Sequence, residues 1–271
     1  MTPPQAYAAQ AAYARAKDLP VSFALPLTPD VAMRFMLIPP GEFRMGMEEY
    51  AFRLHNAGAP DNDQHAWDGL LSHLVRVETP FYLGRTAVTQ AQWQAVMGSN
   101  PSFFSGGGEL PVEHMTVSEA AAYCQALSAL TGRQARLPSE SEWEYACRAG
   151  SPTFFHFGDG EDQLGQYAWY RANSGMVSHP VGLKLPNSWG LYDMHGGIDE
   201  YCQDLDHPSY HGAPTDQRAW MEDGAVNTCI LRGGSWYDIP VYCSSPHSNS
   251  GPNDHPSEDH GLRVVLEIPA D

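Results

Sequence analysis

Apolar positions along the chain fall into short clusters cut by Pro and Gly, and only the first half carries helical periodicity. Residues 1–18 are Ala-rich and predict a short helix, followed by a Pro-punctuated connector to Asp30. Met33–Ile38 is a short apolar run stopped by Pro39-Pro40-Gly41, which predicts a strand entering a turn and continuing through Gly46. Residues 47–74 mix Asn, Asp, His and Gly without a period and predict a long surface loop; Val75–Thr79 and Phe81–Arg85 predict strands again. Three helices carry start and stop signals: Thr89 to Gly98, Ser118 to Gly132, and Ser139 with Glu142 as a capping box running to Gly150. From Ser151 onward Gly, Pro, Asn, Asp and aromatics dominate, and no helix longer than a turn is expected. Helices first and a loop-heavy, Trp-rich second half predict an α+β fold with much irregular structure.

Composition agrees. Charged residues make up 17% of the 271, below the roughly 25% of ordinary soluble domains, while Gly and Pro number 25 and 22. The formal charge of −17 argues against nucleic acid, whose binding rests on Lys and Arg neutralising phosphates. No run of 18 apolar residues exists, so no membrane insertion is expected, and no secretory leader is seen. Cytoplasmic residence is the default, with export or surface display left open. The five cysteines, Cys124, Cys147, Cys202, Cys229 and Cys243, form no CxxC pair and no disulfide framework. Among the twelve His, His207 and His211 have HxxxH spacing but Pro208 between them argues against one helix face, and none fits HExxH.

Several phrases recur in a fixed order: Ile38-Pro39-Pro40-Gly41-Glu42-Phe43-Arg44-Met45-Gly46, Thr89-Gln90-Ala91-Gln92-Trp93, Arg136-Leu137-Pro138-Ser139-Glu140-Ser141-Glu142-Trp143, Asn187-Ser188-Trp189-Gly190-Leu191-Tyr192-Asp193-Met194-His195-Gly196, Leu231-Arg232-Gly233-Gly234-Ser235-Trp236 and Gly261-Leu262-Arg263-Val264. This succession resembles the formylglycine-generating-enzyme (sulfatase-modifying-factor) family. The resemblance implies a heavily elaborated C-type lectin fold over 31–271, with 1–30 as a leading helix and connector. Oxidases of that family carry two cysteines after Arg-Gly-Gly-Ser, which bind copper and activate oxygen. Here the second position is Cys243 and the first is Asp238. Cu(I) favours paired soft thiolates, so no copper is expected and the chain is expected not to be an enzyme. Relatives of the sulfoxide-synthase type add an N-terminal helical domain with a His iron triad, and residues 1–30 contain no His. The alternative is an oxidoreductase of the formylglycine-generating type using Cys243; a plain scaffold role is the third option.

The stretch Tyr237–His260 is small, polar and aromatic, without periodicity. It resembles the variable region of proteins diversified by retroelements, which use the same lectin fold and in which reverse transcription randomises adenines of Asn codons. The frame Arg232–Trp236, Pro240, Cys243, Pro252 and Gly261-Leu262-Arg263 matches, giving a variable region of about 232–263. Randomised Asn codons yield Tyr, Asp, Ile, Val, Ser, His, Asn and Gly but not Lys, Gln, Glu, Met or Trp, and in 237–260 only Glu258 breaks the rule. The resemblance implies a macromolecular ligand, and Tyr237, Asp238, Ile239, Val241, Tyr242, Ser244, His247, Asn249, Asn253, His255 and His260 are the candidate contact residues. It further implies a structural Ca²⁺ held by the Asp193 and Glu200 carboxylates and the Gly196 and Ile198 carbonyls, with no counterpart of a second cation site in 167–180.

Overall fold

The structure, a computed structural model, describes residues 2–47 and 71–269. In chain order these form α1 (Pro3–Lys17), β1 (Ser22–Pro26), β2 (Ala32–Ile38), β3 (Gly41–Met45), β4 (His73–Val77), β5 (Phe81–Gly84), α2 (Gln90–Met97), α3 (Val117–Thr131), β6 (Ala135–Arg136), α4 (Glu140–Arg148), α5 (Leu164–Tyr167), β7 (Asp199–Tyr201), β8 (Thr228–Arg232), β9 (Asn249–Pro252), β10 (His260–Gly261) and β11 (Val265–Glu267). Most of the loop expected at 47–74 lies outside the described residues. Among the described residues, no helix is long and apolar enough to cross a membrane.

The main sheet has the order β1-β2-β5-β11-β6 with every pairing antiparallel, so the last strand of the chain is inserted between β5 and β6. Strand alternation splits its side chains between two cores. Phe35, Leu37, Tyr82 and Leu266 face α2 and α3, where Trp93 stacks on Tyr123 at 5.1 Å. Ile38, Phe81, Leu83 and Val265 face α4, with Trp143, Trp189 and Met194. β5 is buried on both faces and reads as an unbroken apolar run, whereas β2 alternates over Ala32–Phe35, with Arg34 exposed, before turning apolar through Ile38.

The helix starts are chemical. Thr89 and Ser139 accept the N–H groups of Gln92 and Glu142 as expected, Glu142 reaches back to its cap as expected, and Gln92 does the same at Thr89. The middle helix begins earlier than expected: Thr116, not Ser118, is its cap, in a reciprocal pair with Glu119. The connector before Asp30 is also not a linker, because Ser22–Pro26 pairs with β2 from Met36 to Ala32. Nor does α1 stand apart. Its Gln10 is buried and donates to the carbonyls of Leu37 (2.8 Å) and Trp189 (3.2 Å), while the Trp189 indole donates to Ala6 (3.1 Å).

The second sheet, β10-β7-β8-β9, carries the candidate segment: β8 leads into it, β9 lies within it at one edge, and β10 closes it at the other. A small third core of Phe155, Leu164, Ala168 and Cys243 sits underneath. Removing the α1 anchor by Gln10→Ala is expected to cost about 1–3 kcal/mol in urea unfolding, because two buried carbonyls lose their donor; unchanged stability would show that α1 is dispensable to the domain.

Candidate ligand-binding surface

Two buried arginines bracket the segment. At its start Arg232, fully buried at the end of β8, pairs with Glu144 and lies 3.3 Å from Glu140, both on α4. The same guanidinium donates to the carbonyls of Ser245 (2.9 Å) and His247, so a fixed side chain grips the middle of the segment by its backbone. Burial alone would lower its pKa, but the carboxylates of Glu144 and Glu140 outweigh that and raise it. At the far end Arg263 forks onto Glu200 (2.7 and 2.8 Å) and donates to the carbonyls of Gly84 (2.8 Å) and Tyr192 (2.9 Å).

The rest of the segment's backbone is also held from outside. His195 Nδ1 donates to the Cys243 carbonyl (2.8 Å), which fixes the tautomer: its Nε2 must accept, and it receives the His156 N–H (3.2 Å) and faces His156 Nδ1 (3.0 Å). Burial holds both rings neutral, His195 down at about 4 and His156 at about 2, where the neighbouring His195 adds to the effect. Ser245 N–H donates to Phe154 (2.7 Å), the Ser174 hydroxyl to the Trp236 carbonyl (2.7 Å), Arg171 N–H to Asp238 (2.9 Å) and His114 N–H to Ser257 (2.9 Å). β9 pairs with β8 from Asn249 to Pro252.

The expected contact residues divide by exposure. Tyr237, Ile239, Asn249 and His255 are exposed, and Asp238, Val241, Tyr242, Asn253 and His260 are half-buried. Asp238 spends one carboxylate oxygen on the Ser235 N–H and hydroxyl, both at 2.8 Å. Asn253 donates to the Val226 carbonyl (2.9 Å), and His260 packs on Tyr201 at 5.7 Å. Ser244 and His247 do not belong to the surface. Pro240–Cys243 forms a 3₁₀ turn that carries the chain inward, leaving Ser244 fully buried with its hydroxyl on Val241 (2.8 Å) and His247 only 8% exposed. The expectation also missed a neighbour: Phe104 packs edge-on against Trp236 at 5.4 Å, and Phe103 beside it is exposed. Two adjacent Phe between Gly98 and Gly106 were the available signal.

The sulfatase-modifying factor enzyme 1-like domain family matches residues 26–268. The chain belongs to this family. Among solved structures, Treponema denticola variable protein 1 superposes with a TM-score of 0.79 at 26% identity, covering 92% of this chain and 100% of that one. Among relatives, the chaperone protein LppX of Paenibacillus barcinonensis is 28% identical over 236 residues, 68% of this chain and 79% of that protein. The formylglycine-generating enzyme of Streptomyces coelicolor is 31% identical over 187 residues, 60% of this chain but only 57% of that enzyme. The C-type lectin-like fold of the family is thus present, with variable proteins and named enzymes both among its similar structures and sequences.

Of the two metal centres implied by the family, copper does not fit this chain's residues, and the calcium set is weakened at Glu200. For copper, Asp238 stands where the first thiol belongs. Cys243 is fully buried, burial and then the Asp238 and Asp199 charges push its thiol well up, and a Cβ on Gly234 would strike its sulfur. For calcium, Glu200 is already engaged: the Arg263 Nε–H is shared between its oxygens (2.8 and 3.1 Å), Nη2 donates at 2.7 Å and the Trp143 indole at 2.7 Å, so three N–H groups occupy its roughly four acceptor sites. Glu200 is therefore the ion partner of Arg263, which neutralises the second carboxylate of the expected set Asp193, Gly196, Ile198 and Glu200. Asp193 accepts Gly182 N–H (2.7 Å) through one oxygen and keeps the other buried and unpartnered; burial lifts its carboxyl to about 6. Among the described residues no group of three or more His, Cys, Asp or Glu is placed to hold a metal. The melting temperature is accordingly expected to be the same in millimolar Ca²⁺ and in EDTA; a calcium-dependent rise would restore Glu200 as a cation ligand.

Proposed function

We propose that this protein is a non-enzymatic ligand-binding protein whose segment 232–263 displays a hypervariable surface to a macromolecular partner. One observation carries the reading: the backbone of the segment is gripped by side chains and strands outside it, while Tyr237, Ile239, Asn249 and His255 point to solvent with no role in that grip. Substitution at such positions changes the surface and leaves the fold alone, the division of labour seen in antibody loops. The superposition on a Treponema denticola variable protein over its full length supports the same reading. Oxidase chemistry is disfavoured by a lone, fully buried thiol facing a carboxylate.

The gene tests this. A near-copy of the codons for residues 232–263, differing at adenines and accompanied by a reverse-transcriptase gene, is the expected finding; no such copy would overturn diversification. For the alternative, copper-loaded protein is expected to consume no oxygen with a cysteine-containing peptide. Consumption that disappears in Cys243→Ala would make the chain an oxidase.

A further inference from the structure

The exposed surface does not stop at the variable segment. Phe103 packs edge-to-face on Phe104 (5.3 Å, 86°), Phe104 on Trp236 (5.4 Å, 85°) and Trp236 on Tyr237 (5.8 Å, 78°), while Arg171 lies over the Tyr237 ring at 5.4 Å. The row opens outward: Trp236 is 6% exposed, Tyr237 47% and Phe103 66%.

The loop that carries it is built, not loose. The fully buried Glu113 carboxylate accepts the N–H groups of Phe103 (3.1 Å) and Phe104 (2.9 Å). Glu113 N–H donates to the Ser102 hydroxyl (3.2 Å), and the Gln90 amide donates to the Phe104 carbonyl (3.0 Å). The adjoining His114 holds the variable segment by donating its N–H to Ser257. A buried carboxylate that fixes two consecutive Phe, one of them facing water, does nothing to bury them. It does remove the ordering cost of using them as anchors.

Charge names the occupant. Residues 237–260 hold four acids, Asp238, Asp254, Glu258 and Asp259, and no Lys or Arg. Glu258 is exposed, its carbonyl receives the Trp236 indole N–H (3.4 Å), and its charge acts on Glu113. It is also the one residue of the stretch that a randomised Asn codon does not yield, which calls for a different template codon or a fixed position; we take it as fixed alongside Phe103, Phe104 and Trp236. The chain as a whole carries −17, a field that draws in cationic surfaces and turns away nucleic acid and acidic glycans.

We propose that Phe103, Phe104 and Trp236, with the Glu258 carboxylate, form a constant subsite that takes a Lys or Arg flanked by apolar side chains on a partner polypeptide. The inference rests on the ligand-binding reading above and divides that surface into a fixed anchor and a variable remainder.

The test is a random-peptide display library panned on the full chain, with enriched peptides then made individually. Enriched peptides are expected to carry Lys or Arg beside an aliphatic or aromatic residue. Their affinity is expected to fall about tenfold or more in Phe103→Ala and in Glu258→Gln, each with the parental melting temperature. Enriched peptides without a basic residue, or a library that yields none above background, would overturn the subsite. Affinity lost on replacing Tyr237 and Asn249 by Ser but kept in Phe103→Ala and Glu258→Gln would overturn the subsite and leave the variable surface standing. Affinity that ignores positions 237, 239, 249 and 255 yet depends on Phe103 would instead overturn the variable-surface reading and leave the anchor.

Discussion

Arg232 sits where a charge is most expensive, fully buried between α4 and the segment that follows β8. It is tolerable there only because Glu144 and Glu140 neutralise it and the carbonyls of Ser245 and His247 take further N–H groups. A buried ion pair of this kind need not add net stability over an apolar substitute, but it dictates geometry, since leaving any partner unmatched is costly. The consequence is that the path of the chain from 233 to 247 is set by a side chain at its foot. Arg263 repeats the arrangement at the other end, tying Glu200 and the Trp143 indole to the strand that re-enters the main sheet.

Between these two points the protein separates holding from displaying. Backbone acceptors are taken by His195, Ser174, Arg171 and His114, none of which belongs to the segment. Buried Cys243 and Ser244 fill space under it, and Tyr237, Ile239, Asn249 and His255 are exposed above it. The family includes named formylglycine-generating enzymes, and at the position where the resemblance implies their first thiol this chain has Asp238, whose carboxylate accepts from the Ser235 N–H and hydroxyl. On the proposed reading, the scaffold's tolerance of a long irregular segment serves surface display here as it serves chemistry in the named enzymes.

What was legible in the sequence was what local chemistry writes. The reciprocal caps at Thr89 and Ser139, the Gly98 and Gly132 stops and the apolar runs of β2 and β5 all stand in the structure. The ordered phrases identified the family. What was not legible depends on partners distant in the chain. Nothing local marks Ser22–Pro26 as an edge strand, because its register comes from β2. The Asp193–Glu200 phrase looks like a cation loop until Arg263, 63 residues on from Glu200, claims the carboxylate. Nothing local marks Ser244 and His247 as buried, because a segment without periodicity gives no inside or outside; the inward path is imposed by the 3₁₀ turn at Pro240 and by Arg232.

The most direct measurement compares the thermal unfolding of two altered chains with the parent. In one, Tyr237, Ile239, Asn249 and His255 are all replaced by Ser; in the other, Arg232 is replaced by Met. If the segment is held from outside, the fourfold replacement melts within about 5 °C of the parent, and Arg232→Met, which leaves Glu144 to Arg148 alone and Glu140 without a cation, melts lower by roughly 6 °C or more. A fourfold variant that unfolds before Arg232→Met would show that the displayed side chains themselves hold the fold, and would contradict the account.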